Sequence, residues 1–143
     1  MLYYPGWEAD YEPFVEQVCG AVSADAVAYI SMGSLRFAPA LKAVVQARFP
    51  NNRLMSAELL PGADGKMRYF KPLRTEMYTK MVGWIQRGMP NTPIYLCMES
   101  PVVWRKVFGT APSCNADMEQ RIQQRDGQDA GQQSIRGLPL KVL

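Results

Sequence analysis

Cations and aromatic residues are interleaved in one short stretch of the chain, residues 64–74 (DGKMRYFKPLR). It holds four cations and two aromatic rings within eleven positions. This combination suits a nucleic acid, because the charges can meet phosphate groups while the rings meet the faces of unstacked bases. The alternative is a solvated surface loop whose rings cap a core. The candidates for contact with DNA are Lys66, Arg68, Tyr69, Lys71 and Arg74.

The residues within and around this stretch favour a loop or a short hairpin. Pro61, Gly62, Gly65 and Pro72 punctuate it, and such residues mark turns rather than the interior of a helix or strand. The formal net charge of the 143-residue chain is only +3, but it is unevenly distributed. Seven cations and three acids lie between residues 53 and 87, so the excess positive charge is local and indicates an anionic partner.

The composition limits other kinds of chemistry. The sequence has no histidine, and its three cysteines (Cys19, Cys97 and Cys114) are widely spaced, with no CxxC pair. We therefore expect no zinc or iron–sulfur site built from this chain alone, and no histidine-based catalytic triad. The odd cysteine count without a signal peptide favours a reducing cytoplasm. No apolar run approaches the roughly 20 residues that a membrane span needs.

Hydrophobic periodicity predicts alternating strands and helices. Apolar runs of strand length occupy residues 26–32, 53–60 and 93–99, and apolar residues at helical spacing predict helices over residues 13–22, 39–49, 76–87 and 101–109. The expected inward faces are Phe14, Val15, Val18 and Val22 in the first helix, Leu41, Val44, Val45 and Phe49 in the second, and Leu73, Met77, Met81, Trp84 and Ile85 in the third. This order argues for an α/β fold with parallel strands and helical crossovers.

Polar side chains follow the predicted strands. They are Ser31, Ser34 and Arg36 after the first strand, Glu58 after the second and Glu99 after the third. Because α/β folds bind ligands at the carboxyl ends of their strands, we expect these five residues to line one pocket rim. For Glu58 and Glu99 the alternative is a salt bridge to a neighbouring cation, or a place beside the dipole of a helix start.

Three full strands do not close a barrel, and residues 2–4 resemble the end of a further strand. We therefore expect residues 1–115 to be the C-terminal part of a larger α/β unit, with an exposed apolar sheet edge that invites association. The composition changes past Gly109. Six glutamines and few hydrophobic residues lie between residues 116 and 133, which predicts a polar, flexible tail over residues 116–143.

Five segments resemble the C-terminal half of the spore photoproduct lyase family, which are radical SAM enzymes of DNA repair. They are residues 3–8 (YYPGWE), 29–37 (YISMGSLRF), 48–50 (RFP), 64–70 (DGKMRYF) and 95–109 (YLCMESPVVWRKVFG). The segments follow one another in the family order, and the resemblance spans about residues 3–115. The glutamine-rich tail lies outside it.

The resemblance implies a partial (β/α) barrel of the radical SAM type, to which this chain contributes about three to four parallel strands and their flanking helices. In the family, a [4Fe–4S] cluster held by a CxxxCxxC motif cleaves S-adenosylmethionine, and the resulting radical initiates repair of the thymine dimer 5-thyminyl-5,6-dihydrothymine. The cluster motif and the hydrogen-donor cysteine belong to the N-terminal half, and this sequence contains neither. The implied partners are DNA and that missing N-terminal half of the barrel.

Three functions follow as hypotheses. The chain is part of a radical SAM DNA lyase whose chemistry resides elsewhere, a nucleic-acid-binding module without catalysis, or a remnant without function. We expect no catalytic residue and no metal ligand in this chain, since three clustered thiolates are absent. An in-frame CxxxCxxC motif in the DNA upstream of Met1 would favour the first hypothesis.

Overall fold

The computed structural model describes residues 1–51, 54–112 and 119–120. Its helices are α1 (Trp7–Ala21), α2 (Ala40–Arg48), α3 (Lys71–Gly88) and α4 (Pro101–Phe108). Its strands are β1 (Ile30–Met32), β2 (Arg36–Phe37), β3 (Leu59–Pro61), β4 (Met67–Tyr69) and β5 (Ile94–Leu96). The described part is therefore mixed α/β, as predicted. The domain boundary at residue 115 and most of the predicted flexible tail lie outside the described residues.

Strands β1 and β5 form a parallel pair, with Ile30 beside Ile94 and Met32 beside Leu96. Met32 and Leu96 are buried, while Ser31, one residue before Met32 in β1, is exposed. One face of the pair therefore covers the core and the other faces outward. The predicted parallel arrangement is confirmed for these two strands, although each is shorter than the apolar run that contains it.

The other three strands form a separate antiparallel sheet in the order β2-β4-β3. The segment from Arg53 to Leu60, predicted as one parallel strand, instead holds a 3₁₀ turn (Leu54–Ser56) and only the start of β3. The turn residues after Pro61 reverse the chain directly into β4, and a tight reversal can join only antiparallel strands. The prediction of three to four parallel strands is therefore wrong for the described residues, which show two.

The two helices nearest the basic stretch agree best with prediction. Helix α3 begins at Lys71, earlier than expected, and buries Met77, Met81, Trp84 and Ile85 as predicted. Helix α4 begins after Ser100, whose hydroxyl accepts a hydrogen bond from the Val103 N–H at 3.5 Å. Pro101 fits the first turn because its missing N–H has no helical partner there. Gly109 ends the helix with a φ of 75°, a left-handed conformation that glycine adopts without strain.

Two predicted inward faces are mostly wrong. In the first helix Val15 is buried as predicted, but Phe14, Val18 and Val22 are 57%, 40% and 42% exposed, because α1 begins at Trp7 and packs through Trp7 and Val15. Helix α2 buries no residue, and its Leu41, Val44 and Phe49 are exposed as well. Amphipathic spacing shows that a helix has an apolar face, but tertiary packing decides whether the face is covered.

The core lies between α1 and α3 and beneath the β1–β5 pair. The rings of Trp7 and Trp84 meet there with centroids 5.6 Å apart. A Cβ at Gly88 would lie 2.6 Å from the Cβ of Cys19, so the glycine lets α3 approach α1 closely. Within the described residues, no helix combines the length and apolar character needed to cross a bilayer.

Candidate nucleic-acid interface

The first half of the basic stretch, residues 64–69, forms the turn and second strand of a β-hairpin, as predicted, whereas residues 71–74 form the first turn of α3 rather than part of a loop. Strands β3 and β4 pair from Leu59 opposite Tyr69 to Pro61 opposite Met67. The Gly62 N–H donates to the Lys66 carbonyl at 2.8 Å, and the Gly65 N–H donates to the Gly62 carbonyl at 2.9 Å. Gly65 adopts a φ of 70°, which few other residues tolerate. Turn chemistry therefore fixes where the hairpin presents its cations.

Strand pairing places Arg36 of β2 directly opposite Arg68 of β4. Like charges in this position repel each other, and Asp64 in the hairpin turn compensates for both. Its Oδ1 accepts a hydrogen bond from the Arg68 guanidinium, and its Oδ2 lies 3.7 Å from Arg36 Nε. Arg36, a predicted rim residue, and Arg68, a predicted DNA contact, thus belong to one cluster. The sequence did not indicate this because β2, which brings them together, has only two residues.

The two guanidinium groups are incompletely satisfied. Arg36 Nη1 and Arg68 Nε are buried without a hydrogen-bond partner among the described residues. The Arg68 guanidinium lies close to Gly62, where an added Cβ would come within 2.6 to 2.9 Å of three of its atoms. Glycine at position 62 is therefore what allows this placement of Arg68. Buried donors without partners are rare and costly, so the arrangement of these two guanidinium groups is maintained against a free-energy penalty.

The electrostatic state of Asp64 follows from its neighbours. Partial burial by itself would raise the pKa of Asp64, but the Lys66 N–H at 3.3 Å and the Arg68 guanidinium outweigh it and hold the pKa below its usual value. A carboxyl whose pKa is depressed by folding stabilises the fold above its unfolded pKa, and this contribution is lost as the pH falls through the folded pKa.

We therefore predict that Asp64→Asn destabilises the protein near neutral pH and that the difference from the parent chain shrinks toward about pH 3, below the unfolded pKa of roughly 3.9. Urea unfolding of both proteins at about pH 6 and pH 3 measures this change. An equal difference at the two pH values would contradict the pairing. Glu58→Gln, at an exposed carboxylate outside the cluster, is the matched control.

A cavity of about 390 Å³ opens between the hairpin and the first turns of α3 and α4, and we call it the hairpin cavity. Its lining contains three cations and, among the described residues, no acid. Lys71 is exposed at the first position of α3, and the Phe70 ring before it is 45% exposed. The lining residues are Leu60, Pro61, Gly62, Ala63, Arg68, Tyr69, Phe70, Lys71, Arg74 and Ser100.

The N-terminal ends of α3 and α4 both border the hairpin cavity and affect its electrostatic potential. Phe70 occupies the N-cap of α3, and its side chain cannot accept a hydrogen bond from the first N–H groups of that helix. Ser100, which caps α4, also lines the cavity. Unsatisfied N–H groups and the helix dipole both favour an anion at such a position. The hairpin cavity can therefore attract an anion through fixed dipoles as well as through side-chain charge.

Two of the predicted DNA contacts, Tyr69 and Arg74, are buried rather than exposed to a ligand. Tyr69 is 1% exposed, and its hydroxyl accepts a hydrogen bond from the Tyr3 N–H at 3.1 Å. Burial raises the pKa of Tyr69, so its hydroxyl keeps its proton. Arg74 is buried: its Nε donates to Glu99 Oε1 at 2.8 Å, its Nη2 to Glu99 Oε2 at 3.3 Å, and its Nη1 to the Tyr69 carbonyl. These two residues hold the hairpin against the core.

The predicted rim residues divide into separate groups. Glu99 forms the salt bridge that the sequence left as its alternative, and it also accepts a hydrogen bond from the Tyr78 hydroxyl at 3.2 Å. The same hydroxyl accepts a hydrogen bond from the Ser34 N–H at 2.9 Å. Burial raises the pKa of Tyr78 to about 12, so it remains neutral. Ser31 and Glu58 are exposed and belong to neither this network nor the Arg36–Asp64–Arg68 cluster.

The two cysteines that the structure describes belong to no group that could hold an iron–sulfur cluster. Cys19 lies half-buried on α1, as predicted, while Cys97 is exposed just beyond β5 rather than inside a strand. Cys114 lies outside the described residues. Among the residues that the structure describes, no group of three or more potential metal ligands occurs. Since a [4Fe–4S] cluster needs at least three protein thiolates here, we derive no step through it or through S-adenosylmethionine.

Comparison of the chain with protein-family models, with curated proteins and with solved structures found no match in any of the three.

Proposed function

We propose that this chain binds DNA, with the hairpin cavity as the contact surface for the phosphate backbone and for an unstacked base. The observation that carries the proposal is a cavity of about 390 Å³ lined by Arg68, Lys71 and the exposed Phe70, without an acid among its described lining. Its volume falls within the range of about 300 to 1,000 Å³ found for ligand sites. Positive charge supplies affinity for any phosphate backbone, and an aromatic face supplies affinity for any base.

Each residue has a distinct role in this proposal. Lys71 combines its own charge with the N-terminal end of α3, so it meets a phosphate. Arg68 presents a guanidinium that Asp64 and Gly62 hold in place, and its N–H groups that Asp64 does not engage can donate to a phosphate oxygen. Phe70 offers its ring to a base. Lys66, exposed in the hairpin turn, adds long-range attraction.

The direct experiment compares the removal of two cations from α3, one at the hairpin cavity and one far from it. We expect Lys71→Ala to weaken binding of a single-stranded oligonucleotide and to reduce the slope of log Kd against log salt by about 1, as loss of one phosphate contact should. Fluorescence anisotropy across a salt series measures both quantities. Arg87→Ala is the control, because it removes an equal charge about 24 Å away along α3. Binding that responds equally to both substitutions, or that ignores salt, would eliminate the proposal.

The stacking role of Phe70 has its own prediction. Phe70→Ala should lose about 1 to 3 kcal/mol of binding free energy, which is the usual worth of one base stacked on an aromatic ring. The salt slope should stay unchanged, since no charge is removed. Phe49→Ala is the matched control, because Phe49 is also exposed, at 59%, but lies at the end of α2. Equal losses for the two variants would show that ring exposure alone, and not the cavity, determines binding.

The broader proposal is that this DNA-binding surface belongs to a lyase of the spore photoproduct lyase type. In that case β1, β5 and their helices are part of a partial (β/α) barrel, and the N-terminal half supplies the cluster, S-adenosylmethionine and the radical chemistry. The parallel β1–β5 pair supports this, as does the position of the hairpin beside the carboxyl end of β5, where Glu99 and Ser100 follow. Catalysis by this chain alone is not part of the proposal.

The hairpin cavity would equally serve a second candidate, a nucleic-acid-binding module without catalysis. The two candidates share the hairpin cavity and differ only in what accompanies it. The DNA sequence upstream of Met1 separates them: an in-frame CxxxCxxC motif supports the lyase, and its absence supports the module. A remnant without function would show no salt-sensitive binding at all.

A further inference from the structure

Three donors converge on the carboxylate of Asp64 in the hairpin turn. Its Oδ1 accepts hydrogen bonds from the Arg68 guanidinium and from the Lys66 N–H, the latter at 3.3 Å, and its Oδ2 lies 3.7 Å from Arg36 Nε. Guanidinium groups match the oxygens of a carboxylate and of a phosphate alike, and backbone N–H groups also bind phosphates of nucleic acids. The donors around Asp64 are therefore those of a phosphate site, with a carboxylate of the chain itself in place.

The charges of this cluster do not cancel. Arg36 and Arg68 lie directly opposite each other in the β2–β4 pair, and Asp64 supplies one negative charge against their two positive charges. Lys66, exposed in the same turn, adds a further positive charge. The cluster therefore attracts anions even while Asp64 is bound to it.

The Asp64 side chain can leave these donors at small cost. It is 37% exposed, so the carboxylate meets water as soon as it turns outward, and ion pairs at exposed positions contribute little to stability. The turn is closed by two backbone hydrogen bonds, from the Gly62 N–H to the Lys66 carbonyl and from the Gly65 N–H to the Gly62 carbonyl. Neither involves the Asp64 side chain, so the turn keeps its shape when another anion replaces the carboxylate.

The cluster borders the hairpin cavity at Arg68. This residue lines the cavity, whereas Arg36 and Asp64 do not belong to its lining. A phosphate that reaches the Arg68 guanidinium from the cavity therefore meets the Asp64 carboxylate on the same group. Two anions at one guanidinium repel each other, so the phosphate binds more tightly once Asp64 has turned away.

We propose that Arg36, Arg68 and the Lys66 N–H form a second phosphate site beside the hairpin cavity. Asp64 occupies this site in the free protein, and a phosphate of the DNA strand displaces it in the complex. The exchange keeps the three donors paired, and counterions released from the strand drive it. This inference rests on the proposed function and extends it, because it adds Arg36 to the contact surface and makes Asp64 a competitor of the ligand.

Removal of the competing carboxylate is the first test. We expect Asp64→Asn to bind a single-stranded oligonucleotide about fivefold more tightly, the effect of removing a unit charge that lies roughly 4 Å from an anion in water. Glu58→Gln is the matched control, because it removes the same charge from an exposed carboxylate outside the cluster. Fluorescence anisotropy measures the affinities, and urea unfolding shows that each variant is folded. Asp64→Ser replaces Asp64→Asn if the amide group disturbs the turn.

The part played by Arg36 is the second test. In the parent chain Arg36 holds the competitor as well as the ligand, so its loss has two opposing effects on binding. In Asp64→Asn only the contact with the phosphate is lost. Arg36→Gln should therefore weaken binding at least about threefold more in Asp64→Asn than in Glu58→Gln, which is a coupling of the size found between residues in contact.

A free phosphate ion has the same chemistry as a phosphate of the strand, and a third measurement separates the two sources. The Lys66 amide of ¹⁵N-labelled Asp64→Asn is followed by nuclear magnetic resonance while sodium phosphate replaces sodium chloride at constant ionic strength. A shift of this amide with inorganic phosphate, combined with no gain in oligonucleotide affinity, would overturn the proposal and assign the site to the free ion.

Two further results would overturn it. Asp64→Asn binding no more tightly than Glu58→Gln would show that Asp64 only holds Arg68 in place. An equal cost of Arg36→Gln in the two backgrounds would show that Arg36 does not reach the strand. In both cases the parent chain still binds DNA in a salt-sensitive way, so the proposed function would stand. Absence of that binding in the parent chain is the separate result that would remove both.

Discussion

Replacing Glu99 with alanine is expected to lower the free energy of unfolding by about 3–5 kcal/mol, the usual result of removing one partner of a buried ion pair. The side chains of Glu99 and Arg74 are 3% and 6% exposed, and two guanidinium nitrogens of Arg74 donate to the carboxylate. Without Glu99, the charge of Arg74 remains buried and uncompensated. The Tyr78 hydroxyl loses its acceptor in the same change.

The loss of stability in Glu99→Ala should come from the uncompensated charge of Arg74 rather than from lost packing. We therefore expect Arg74→Met added to Glu99→Ala to recover part of the lost free energy, because the double variant buries no charge. Glu58→Ala, at an exposed carboxylate, is the control and should change stability by no more than about 0.5 kcal/mol. Urea unfolding measures all three variants. A Glu99→Ala protein no less stable than Glu58→Ala would contradict the buried pair.

The same ion pair connects stability to the proposed site. Arg74 donates to the Tyr69 carbonyl at the end of β4, and Glu99 directly precedes the Ser100 cap of α4. The Arg74–Glu99 pair therefore connects the hairpin, through Tyr69, to the segment between β5 and α4, which contains Glu99. The sequence suggested Arg74 as a DNA contact, but in the structure Arg74 instead supports the hairpin that carries the proposed contacts.

Replacing Trp84 with alanine is also expected to have a large effect, lowering the free energy of unfolding by about 3–5 kcal/mol. Trp84 is 7% exposed on α3, and its ring meets the ring of Trp7 with centroids 5.6 Å apart. Trp7 is the first residue of α1, so the ring pair fixes the start of that helix against α3. Alanine would remove the transfer free energy of the indole and leave a cavity that the two helices can only partly close.

Thermal or urea unfolding of Trp84→Ala measures this loss, with Gln86→Ala, two residues along on the exposed face of α3, as the control. The exposed substitution should stay within about 0.5 kcal/mol of the parent chain. A Trp84→Ala protein as stable as the control would mean that α1 does not pack on α3 as described.

The parts of the fold that follow from local pattern could be predicted from the sequence. The methionine and tryptophan spacing of α3 indicates its buried face, and Ser100-Pro101 with Gly109 marks both ends of α4. The parallel direction of β1 and β5 follows from apolar runs separated by helices, although the sequence did not say that these two strands lie side by side. In each case, residues close together in the chain carry the signal.

The remaining features depend on contacts between distant residues. Arg74 and Glu99 are 25 residues apart, so nothing in the local pattern distinguishes a buried pair from two exposed charges. Strand β2 has two residues, too few for any periodicity, yet its pairing brings Arg36 to Arg68. The exposure of Phe70 and the burial of Tyr69 could not be separated in advance either, since the alternation of a strand gives two faces without saying which one meets the core.

A nuclear magnetic resonance titration of the ¹⁵N-labelled chain with a short single-stranded oligonucleotide would locate the DNA-binding surface residue by residue. If the hairpin cavity binds DNA, the amides of Gly62, Arg68, Lys71 and Ser100 should show the largest shifts, which should diminish at high salt. The amides of α2 should not move. Shifts concentrated outside the hairpin cavity, or no shifts at low salt, would contradict the claim.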